Sequence, residues 1–537
     1  MCGGTYISLR LAAIISIFTG NSHAKLAMMD IDSGADVDFA RGTHNFLQWF
    51  QALPGATFHK DIKIVDMRHQ DAGRGIVAAA DIEPDTVLFT IPRASIVCAA
   101  TSELAAKIPH IFNAAPDNGA GSAHMDDSDE EDAGPEPHDP WTLLILVLVY
   151  EHLQGHASRW KPYLDILPLE FDTPMFWQPA ELAELQASAV VAKVGRGEAD
   201  RMIREKILPV VRAHEHVFFP ANGVTLADEQ LLHLAHRMGS AIMAYAFDLE
   251  KEDDQDDQEG EDGDEWIEDR DGKTMMGMVP MADLLNADAE FNTHINHGED
   301  SLTATSLRPI RAGDEILNYY GPLSSGELLR RYGYVTPKHT RYDVVELPWP
   351  LVESRLEERL LTRQQQPDWE EKMAEQLTEA GEDFEDSFVL ERATGEPDTT
   401  GQLHDDAVFD GLPDELGEQV KAFLKAAKKV SSNSLVVEAL ADKDTRNEIY
   451  LDSVLKALGD REGQYLTRLE DDARLIRAAD RPHGREQMAI WVRRGEKQLL
   501  REAQVWVAGK LDGLRNKASD RRPGANEGAP STKRRRP

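Results

Sequence analysis

Short apolar runs separated by glycine, aspartate and proline characterise the chain between about residues 40 and 113. Runs rich in β-branched residues and bounded by turn formers predict β-strands. We therefore expect strands over residues 62–67, 75–79 and 86–91, with a short helix over 45–52 before them. Residues 275–340 return to the same pattern of short strands and turns.

Two other regions show helical spacing. Residues 141–249 contain an apolar run at 141–153 and a stretch at 227–247 with apolar residues at i, i+3 and i+4. Beyond about residue 350 the amphipathic stretches are 414–428, 445–458 and 487–509. The pattern predicts an α+β protein in which short β-sheets are split by a helical insert and followed by an all-helical C-terminal domain.

Four polar or charged segments interrupt this pattern: residues 1–38, 114–140, 250–273 and 518–537. The second and third are predicted acidic loops, because blocks of like charge repel one another and stay solvated. The first segment contains a short apolar run that resembles a signal peptide. We favour a disordered N-terminus or a start site placed too early. The last is expected to be disordered and ends in KRRR, either a nuclear localisation signal or a plain basic tail.

The composition and net charge of the chain limit the kinds of molecule that it can bind directly. The chain has 537 residues, 41% of them hydrophobic, and a formal net charge of −37. This charge repels nucleic acid and anionic membranes and attracts a basic protein, although solubility alone also explains it. No stretch approaches the roughly 20 apolar residues of a membrane span. We therefore expect neither nucleic acid nor a membrane as a direct partner.

Common catalytic and metal-binding motifs are missing. The sequence has no GxSxG, HExxH, Walker loop or GxGxxG behind a strand, and its 18 histidines are scattered. Two cysteines, Cys2 and Cys98, exclude a disulfide framework and a cysteine-built zinc site. We predict no metal site and no Rossmann-type cofactor site.

Three segments do not fit ordinary core sequence. Gly73-Arg74-Gly75 lies between predicted strands, where glycines permit a tight turn or a close approach to a ligand. Residues 281–288, MADLLNAD, place an aspartate and an asparagine within an apolar stretch, where both need hydrogen-bond partners. Residues 313–321, GDEILNYYG, carry adjacent tyrosines that point to opposite faces of a strand. A turn, a helix cap and core packing remain alternative explanations of each segment taken alone.

In this order the three segments, followed by ELLRRYGY at 327–334, resemble the motifs of SET domains. The resemblance is to the Rubisco-methyltransferase type and covers about residues 40–510. Residues 159–163 and 243–247 are similar to the branch that holds fungal ribosomal lysine N-methyltransferases and SET domain-containing protein 6. The domains implied are a SET domain at 40–340, with its helical insert at about 141–249, and a helical substrate-binding domain at 341–510.

The resemblance also implies a cofactor, S-adenosylmethionine, and site residues. Tyr320 takes the place of the catalytic tyrosine, with Tyr319 packed beside it. The implied cofactor contacts are Gly73, Arg74 and Gly75 through their main chain, Tyr245, Asn286, Ala287 and Tyr332. The family carries histidine where this chain has Ala287, so only the backbone of that residue can be carried over.

Trp160, Ala246 and Asp248 match positions that line the substrate in the relatives. For Trp160 an ordinary core position is the alternative, and for Asp248 a solvated position at the edge of the acidic loop. Asp283 is expected to brace the loop that carries Asn286.

The implied function is monomethylation of a lysine in a large-subunit ribosomal protein, by a monomer in the nucleus, the cytoplasm or both. Three alternatives stay open. The target is a chromatin or transcription protein, the target is a histidine, or the chain is a non-catalytic binding module that kept the fold.

Overall fold

The computed structural model describes residues 22–70, 72–112, 139–220, 223, 225–250, 274–360, 369–380, 384–477 and 484–520. The predictions for the acidic loops and the basic tail fall almost wholly outside the described residues, and so do residues 1–21 of the predicted N-terminal segment. Within these ranges, no helix has the length and apolar character needed to cross a membrane.

The β-strands of the described residues are β1 (Thr57–Phe58), β2 (Ile62–Asp66), β3 (Arg74–Ala78), β4 (Val87–Pro92), β5 (Ala246–Glu250), β6 (Thr274–Met278), β7 (Thr293–His297), β8 (Ser301–Ser306), β9 (Val345–Pro348) and β10 (Ser387–Leu390). The α-helices are α1 (Ser22–Gln51), α2 (Leu104–Lys107), α3 (Pro109–Phe112), α4 (Pro140–Gln154), α5 (Lys161–Leu164), α6 (Pro179–Ala183), α7 (Arg196–Met202), α8 (Leu208–Ala213), α9 (Glu215–Phe218), α10 (Asp228–Tyr245), α11 (Ser325–Tyr332), α12 (Trp349–Leu360), α13 (Trp369–Ala380), α14 (Asp414–Val430), α15 (Ser434–Ala439), α16 (Lys443–Gly463), α17 (Leu469–Arg477) and α18 (Gly484–Asp520).

The chain divides into two compact units. The first comprises Met1–Phe171, Gly195–Tyr320 and Pro397–Gln402, and the second comprises Asp172–Val194, Gly321–Glu396 and Leu403–Pro537. This division differs from the predicted boundary at residue 340. The reason is packing: Trp177 and Leu185, from within the predicted insert, share a buried cluster with Leu329, Met488 and Val492.

Among the described residues of the first unit, the strands form three antiparallel sheets. The largest has the strand order β1-β4-β8-β7, and two ribbons pair β2 with β3 and β5 with β6. A register shift between Val87 and Phe89 interrupts the pairing of β4 with β8. At this bulge two consecutive residues, Leu88 and Phe89, are both fully buried, which strict alternation along a strand would not allow.

Helix α1 extends well beyond the predicted short helix, so the boundary drawn at residue 38 falls inside it. Phe39 explains why the helix continues. Its ring lies 3.9 Å from the guanidinium carbon of Arg68 and 3.8 Å from that of Arg74. Arg68 also forms an ion pair with Asp36 at 2.7 Å. These contacts fasten the helix to the β2–β3 ribbon.

The apolar run at 141–153 is helical, as predicted. Asp139 caps α4 by accepting a hydrogen bond from the Thr142 backbone N–H at 2.8 Å, and Pro140 occupies the first helical position. Gly155, at φ 55°, ends it. Residues 144–149 are all buried, which accounts for a helix that is apolar on every side.

The helix predicted over 227–247 ends two residues early. Ala246 and Phe247 instead begin β5 and pair with Met278 and Gly277 of β6. A side chain on Gly277 would lie 2.8 Å from Ile96, so glycine allows this ribbon to pack closely. Tertiary packing overrides helix propensity at this point.

The second unit is largely helical, and α14, α16 and α18 contain the three predicted amphipathic stretches. One correction is needed to the all-helical prediction: β9 and β10 form a two-stranded antiparallel sheet. Strand β10 is held by a buried aromatic cluster. In this cluster the Trp349 ring lies 6.4 Å from the ring of Phe388 and 5.7 Å from that of Phe423, both edge-on.

Candidate functional site

Asn286 lies at the centre of a polar cluster in the first unit, which it forms with Glu315 and the main chain of Arg74. Its side-chain amide donates to Glu315 Oε1 at 2.7 Å and to the Arg74 carbonyl at 3.4 Å. Its own carbonyl accepts from the Asn318 backbone N–H at 2.9 Å. The three segments singled out in the sequence therefore meet at one residue, which none of them predicts alone.

The turn before Asn286 is strained. Met281 has φ 87°, a conformation that a non-glycine residue rarely adopts, and the 3₁₀ turn Ala282–Leu284 follows it. Backbone strain of this kind persists only where the surrounding structure imposes it, and it concentrates at functional sites. Here the turn redirects the chain so that Asn286 faces the β2–β3 ribbon.

The two glycines of Gly73-Arg74-Gly75 have different roles. Gly73 has φ 63°, a left-handed conformation suited to glycine. Gly75 is required by space, because an added Cβ would lie 2.3 Å from Met67 Sδ and 3.0 Å from both Asn286 Nδ2 and Glu315 Oε1. The missing side chain lets Met67, Asn286 and Glu315 pack directly against the buried main chain of Gly75.

The Arg74 side chain points away from Asn286. Its guanidinium donates to Thr43 Oγ1 at 2.9 Å, to the Ile166 carbonyl at 3.0 Å and to the Phe39 carbonyl at 3.3 Å. Burial lowers the pKa of Arg74 to about 10. Only the main chain of this residue is thus directed to the candidate site, which is the part that the sequence comparison had assigned to it.

The adjacent tyrosines have separate surroundings. The Tyr320 hydroxyl donates to the Leu285 carbonyl at 2.8 Å, one residue before Asn286. The Tyr319 ring stacks on Phe291 with ring centroids 4.8 Å apart. The Tyr320 hydroxyl is therefore fixed beside the turn that carries Asn286, while the Tyr319 ring is held by packing.

Asp283 belongs to the same turn and is paired with a residue that sequence reasoning missed. The Tyr163 hydroxyl donates to Asp283 Oδ2 at 2.6 Å. Burial raises the pKa of Asp283 to about 7, although the bond from Tyr163 opposes this shift, and burial also raises the pKa of Tyr163. Asp283 Oδ1 is buried and has no hydrogen-bond partner among the residues that the structure describes.

Ala246 and Asp248 lie two residues apart on β5 and so share one face of the ribbon, with Asp248 exposed to solvent. Tyr245 is the last residue of α10, immediately before this strand. Ala287 pairs with Asn318 in a parallel β-bridge, so its backbone is fixed next to the third motif.

Trp160 has the surroundings expected of its core alternative. It is 2% exposed, and its indole N–H donates to the Ser95 carbonyl at 2.8 Å. A tryptophan that is buried and hydrogen-bonded in this way stabilises the core. These surroundings favour the core alternative, and a contact of Trp160 with substrate stays a prediction.

Tyr332 lies in the second unit, at the end of α11, where its ring is 6.2 Å from that of Tyr334. Burial raises its pKa to about 12. A contact of Tyr332 with the cofactor stays a prediction, as do those of Tyr245 and the other residues named from the sequence.

Glu315, Met67 and Tyr163 complete the cluster and were given no role from the sequence. Glu315 stands inside a motif that was recognised, yet an acid after Gly313-Asp314 reads equally well as a turn residue. Met67 and Tyr163 are separated from Asn286 by 219 and 123 positions in the sequence. No local pattern marks such contacts.

Comparison with known proteins gives this geometry a context. Residues 73–321 match the family described as the SET domain. Ribosomal lysine N-methyltransferase 4 of Saccharomyces cerevisiae is 30% identical over 314 residues, which cover 58% of each protein. Human N-lysine methyltransferase SETD6 is 28% identical over 275 residues, covering 50% of this chain and 49% of that protein. The matched regions thus span about half the length of these curated relatives.

Solved structures support the fold over a longer range. The SET domain of LSMT bound to lysine and AdoHcy superposes with a TM-score of 0.56 at 18% identity, covering 91% of this chain and 97% of that one. Rubisco LSMT bound to sinefungin and monomethyllysine gives a TM-score of 0.56 at 19% identity, with the same coverage. At this level of identity the likeness establishes a shared fold, including the helical C-terminal part.

Proposed function

Because this chain contains a SET domain, we propose that it is a protein-lysine N-methyltransferase that uses S-adenosylmethionine. The observation that carries the proposal is the convergence of Gly75, Asn286 and Glu315 beside the hydroxyl of Tyr320. The names of the yeast and human relatives support the same reaction class.

The residues present fit this cofactor. The space that a side chain on Gly75 would need is filled by Met67, Asn286 and Glu315, whereas an added Cβ on Gly73 would meet nothing within 4 Å. The main chain at Gly73 is therefore the part of this turn that is open to a ligand's polar groups. Asn286 supplies an amide whose orientation is fixed by Glu315. We assign the amino-acid end of S-adenosylmethionine to Gly73, Arg74, Gly75 and Asn286. When bound, the cofactor supplies a methyl group on a sulfonium.

Ala287 replaces the histidine that the wider family carries at this position. Its methyl group cannot donate a hydrogen bond. The bridge to Asn318 nevertheless fixes the backbone of Ala287. In our proposal the main chain at 286–288 therefore takes over the contacts that a histidine side chain would share.

Methyl transfer requires the target lysine to arrive as a neutral amine, whereas a free lysine titrates near about 10.4. Burial in a site of low polarity disfavours the charged form and lowers that pKa. Orientation supplies much of the remaining rate, because the amine must attack in line with the departing sulfur. We assign the orienting role to the Tyr320 hydroxyl, which Leu285 holds in place.

For the substrate, we propose monomethylation of a lysine in a large-subunit ribosomal protein. The name of the yeast relative supports a ribosomal target. The net charge of −37 favours basic proteins in general, because complementary charge accelerates their encounter with the enzyme.

The test incubates purified protein with methyl-labelled S-adenosylmethionine and a ribosomal extract that lacks the endogenous enzyme. Mass spectrometry then locates the label. We expect one additional methyl group on a lysine of a single large-subunit protein. Label on a non-ribosomal protein would contradict the substrate assignment, and the absence of any labelled lysine in ribosomal and nuclear extracts would contradict the activity.

A further inference from the structure

The second unit contains a groove of about 540 Å³ along strand β10. One wall is the strand itself with the residues that flank it, and the other is formed by residues 410–413 and Glu415. All of these residues lie within the second unit. None belongs to the candidate site described above.

One edge of β10 faces this groove. The Asp386 carbonyl accepts from the Trp349 backbone N–H at 2.9 Å, so the backbone polar groups of residues 386, 388 and 390 point toward β9. Ser387 lies opposite Pro348, which has no backbone N–H, as expected if the backbone groups of Ser387 point away from β9. The backbone N–H and C=O groups of Ser387 and Val389 must then point to the opposite edge.

That edge is paired on both sides of Ser387 and Val389. Before them, the Glu385 backbone N–H donates to Gln419 Oε1 at 2.8 Å and the Glu385 carbonyl accepts from Gln419 Nε2 at 3.1 Å. Ala393 and Val408 exchange both backbone hydrogen bonds, at 2.9 and 3.0 Å. After Val408 the chain turns away from β10 and forms the far wall at residues 410–413. The result is a slot beside Ser387 and Val389 in which a further extended strand would continue the pairing that Ala393 starts. An open strand edge is a template for such an addition.

The lining indicates the chemistry of the occupant. Glu385, Glu391, Asp410 and Glu415 line the groove, and all four are exposed. Val389 is 49% exposed, an unusual value for a valine on a strand, and offers an apolar contact in the middle. An extended segment with basic residues and a small apolar residue between them would match this surface.

Arg392 also lines the groove, but its positive charge does not neutralise these four acids. Arg392 donates to Glu502 at 2.6 Å and to the Thr340 carbonyl at 2.9 Å, and its side chain is 8% exposed. Its charge is therefore paired with a residue outside the groove. The four acids are left to attract lysine and arginine from a partner.

We propose that this groove binds an extended, lysine- and arginine-rich segment of the protein substrate by adding it as a strand to β10. The identity of the occupant as substrate rests on the proposed function. The groove would hold a segment distinct from the one that carries the methylated lysine. It would therefore act on the choice of protein and leave the chemical step unchanged.

Binding is tested on the full chain, without cofactor, by fluorescence anisotropy of a labelled peptide of about ten residues with alternating arginine and valine. The test variant is the double substitution Glu391→Lys with Asp410→Lys. The control, Glu438→Lys with Asp512→Lys, makes the same change in net charge at exposed positions outside the groove. We expect the groove variant to weaken binding at least about tenfold and the control to stay within about twofold.

A second probe leaves the protein unchanged. Strand addition uses every second backbone N–H of the peptide, so N-methylation of one alternating set must abolish binding while methylation of the other set is tolerated. Equal binding of both N-methylated peptides, equal losses in the two double variants, or no binding to the unmodified chain would each contradict the groove.

The same variants separate this inference from the proposed function. With a protein substrate that carries a basic segment, the groove variant should raise KM about tenfold and leave kcat unchanged. Failure of the unmodified chain to transfer methyl groups to any protein would contradict the proposed function, while the peptide result still decides the groove. If methyl transfer occurs and its KM is unchanged in the variant Glu391→Lys with Asp410→Lys, only the proposed role of the groove would be contradicted.

Discussion

The amide nitrogen of Asn286 lies 2.7 Å from Oε1 of Glu315, although 29 positions separate the two residues in the sequence. The carboxylate fixes which side of the amide carries the donor, and it joins the second and third motifs. If Asn286 holds the cofactor, Glu315 controls the orientation in which it does so.

Replacing Glu315 should therefore act on cofactor affinity. Glu315→Ala removes the acceptor and leaves a half-buried amide without it, at a cost of about 1–3 kcal/mol. We expect the Kd for S-adenosylmethionine to rise at least about tenfold, and Glu315→Gln to recover part of the loss. Isothermal titration calorimetry measures both. An unchanged Kd in Glu315→Ala would show that Asn286 needs no orienting partner.

Gly75→Ala tests the close approach at the turn. The new methyl group would meet Met67 Sδ, Asn286 Nδ2 and Glu315 Oε1 at 3.0 Å or less. We expect a loss of about 1–3 kcal/mol in the free energy of unfolding, together with weaker cofactor binding. Adding Met67→Ala relieves the closest contact and should restore stability more than affinity.

Gly459→Ala is the matched control, because a Cβ at this helical position meets nothing within 4 Å. Its stability should be unchanged or slightly increased, since alanine is the better helix former. A Gly75→Ala protein that is as stable as this control and binds the cofactor equally well would contradict the assigned geometry.

Phe39 ties the cofactor turn to helix α1, since its ring contacts the guanidinium groups of both Arg68 and Arg74. These residues lie at the two ends of the turn that contains Gly73. Phe39→Leu removes both cation–π contacts, each about 0.5–1 kcal/mol at partly exposed sites. We expect a higher Kd for S-adenosylmethionine with little change in kcat, and recovery in Phe39→Tyr. Equal affinity of the leucine and tyrosine variants would exclude this positioning role.

The stability of the first unit should depend on the protonation of Asp283. Burial raises its pKa from 3.8 to about 7 in the folded protein. An acid with a raised folded-state pKa contributes stability below its unfolded pKa, and this contribution is lost as the pH rises through the folded-state pKa. Asp283→Asn keeps a neutral, hydrogen-bonding side chain at every pH.

The comparison is made by thermal unfolding at several pH values. The Tm of Asp283→Asn relative to that of the unmodified chain should rise between about pH 4 and pH 7 and level off above that. Taking the difference between the two proteins removes the effect of other buried acids such as Glu496, whose pKa burial also raises to about 7. A difference that does not vary with pH would mean that Asp283 stays ionised in the fold.

Some of the site could be predicted from the sequence and some could not. Asn286, Tyr320 and Gly75 stand in short motifs whose order identifies them. Glu315 and Tyr163 act through contacts that the fold creates between distant segments, and such contacts leave no local pattern. Trp160 is buried against Ser95, so its surroundings favour the core alternative over the substrate-lining position that the resemblance implies.

The helices show the same contrast between features set by local sequence and features set by contacts with distant residues. Helix α4 is predictable because its cap, its proline and its apolar run are all local. The end of α10 is not, because pairing of Ala246 with Met278 decides it. The extension of α1 depends on Arg68 and Arg74, which lie beyond the end of that helix in the sequence.

The role of Tyr320 is the part of the proposal that one measurement tests most directly. Tyr320→Phe removes only the hydroxyl that donates to Leu285. Steady-state methyl transfer and calorimetry with S-adenosylmethionine should show kcat reduced by about 10²-fold or more, with Kd within about twofold of that of the unmodified chain. A Tyr320→Phe protein that binds the cofactor and turns over at the full rate would contradict the proposed mechanism.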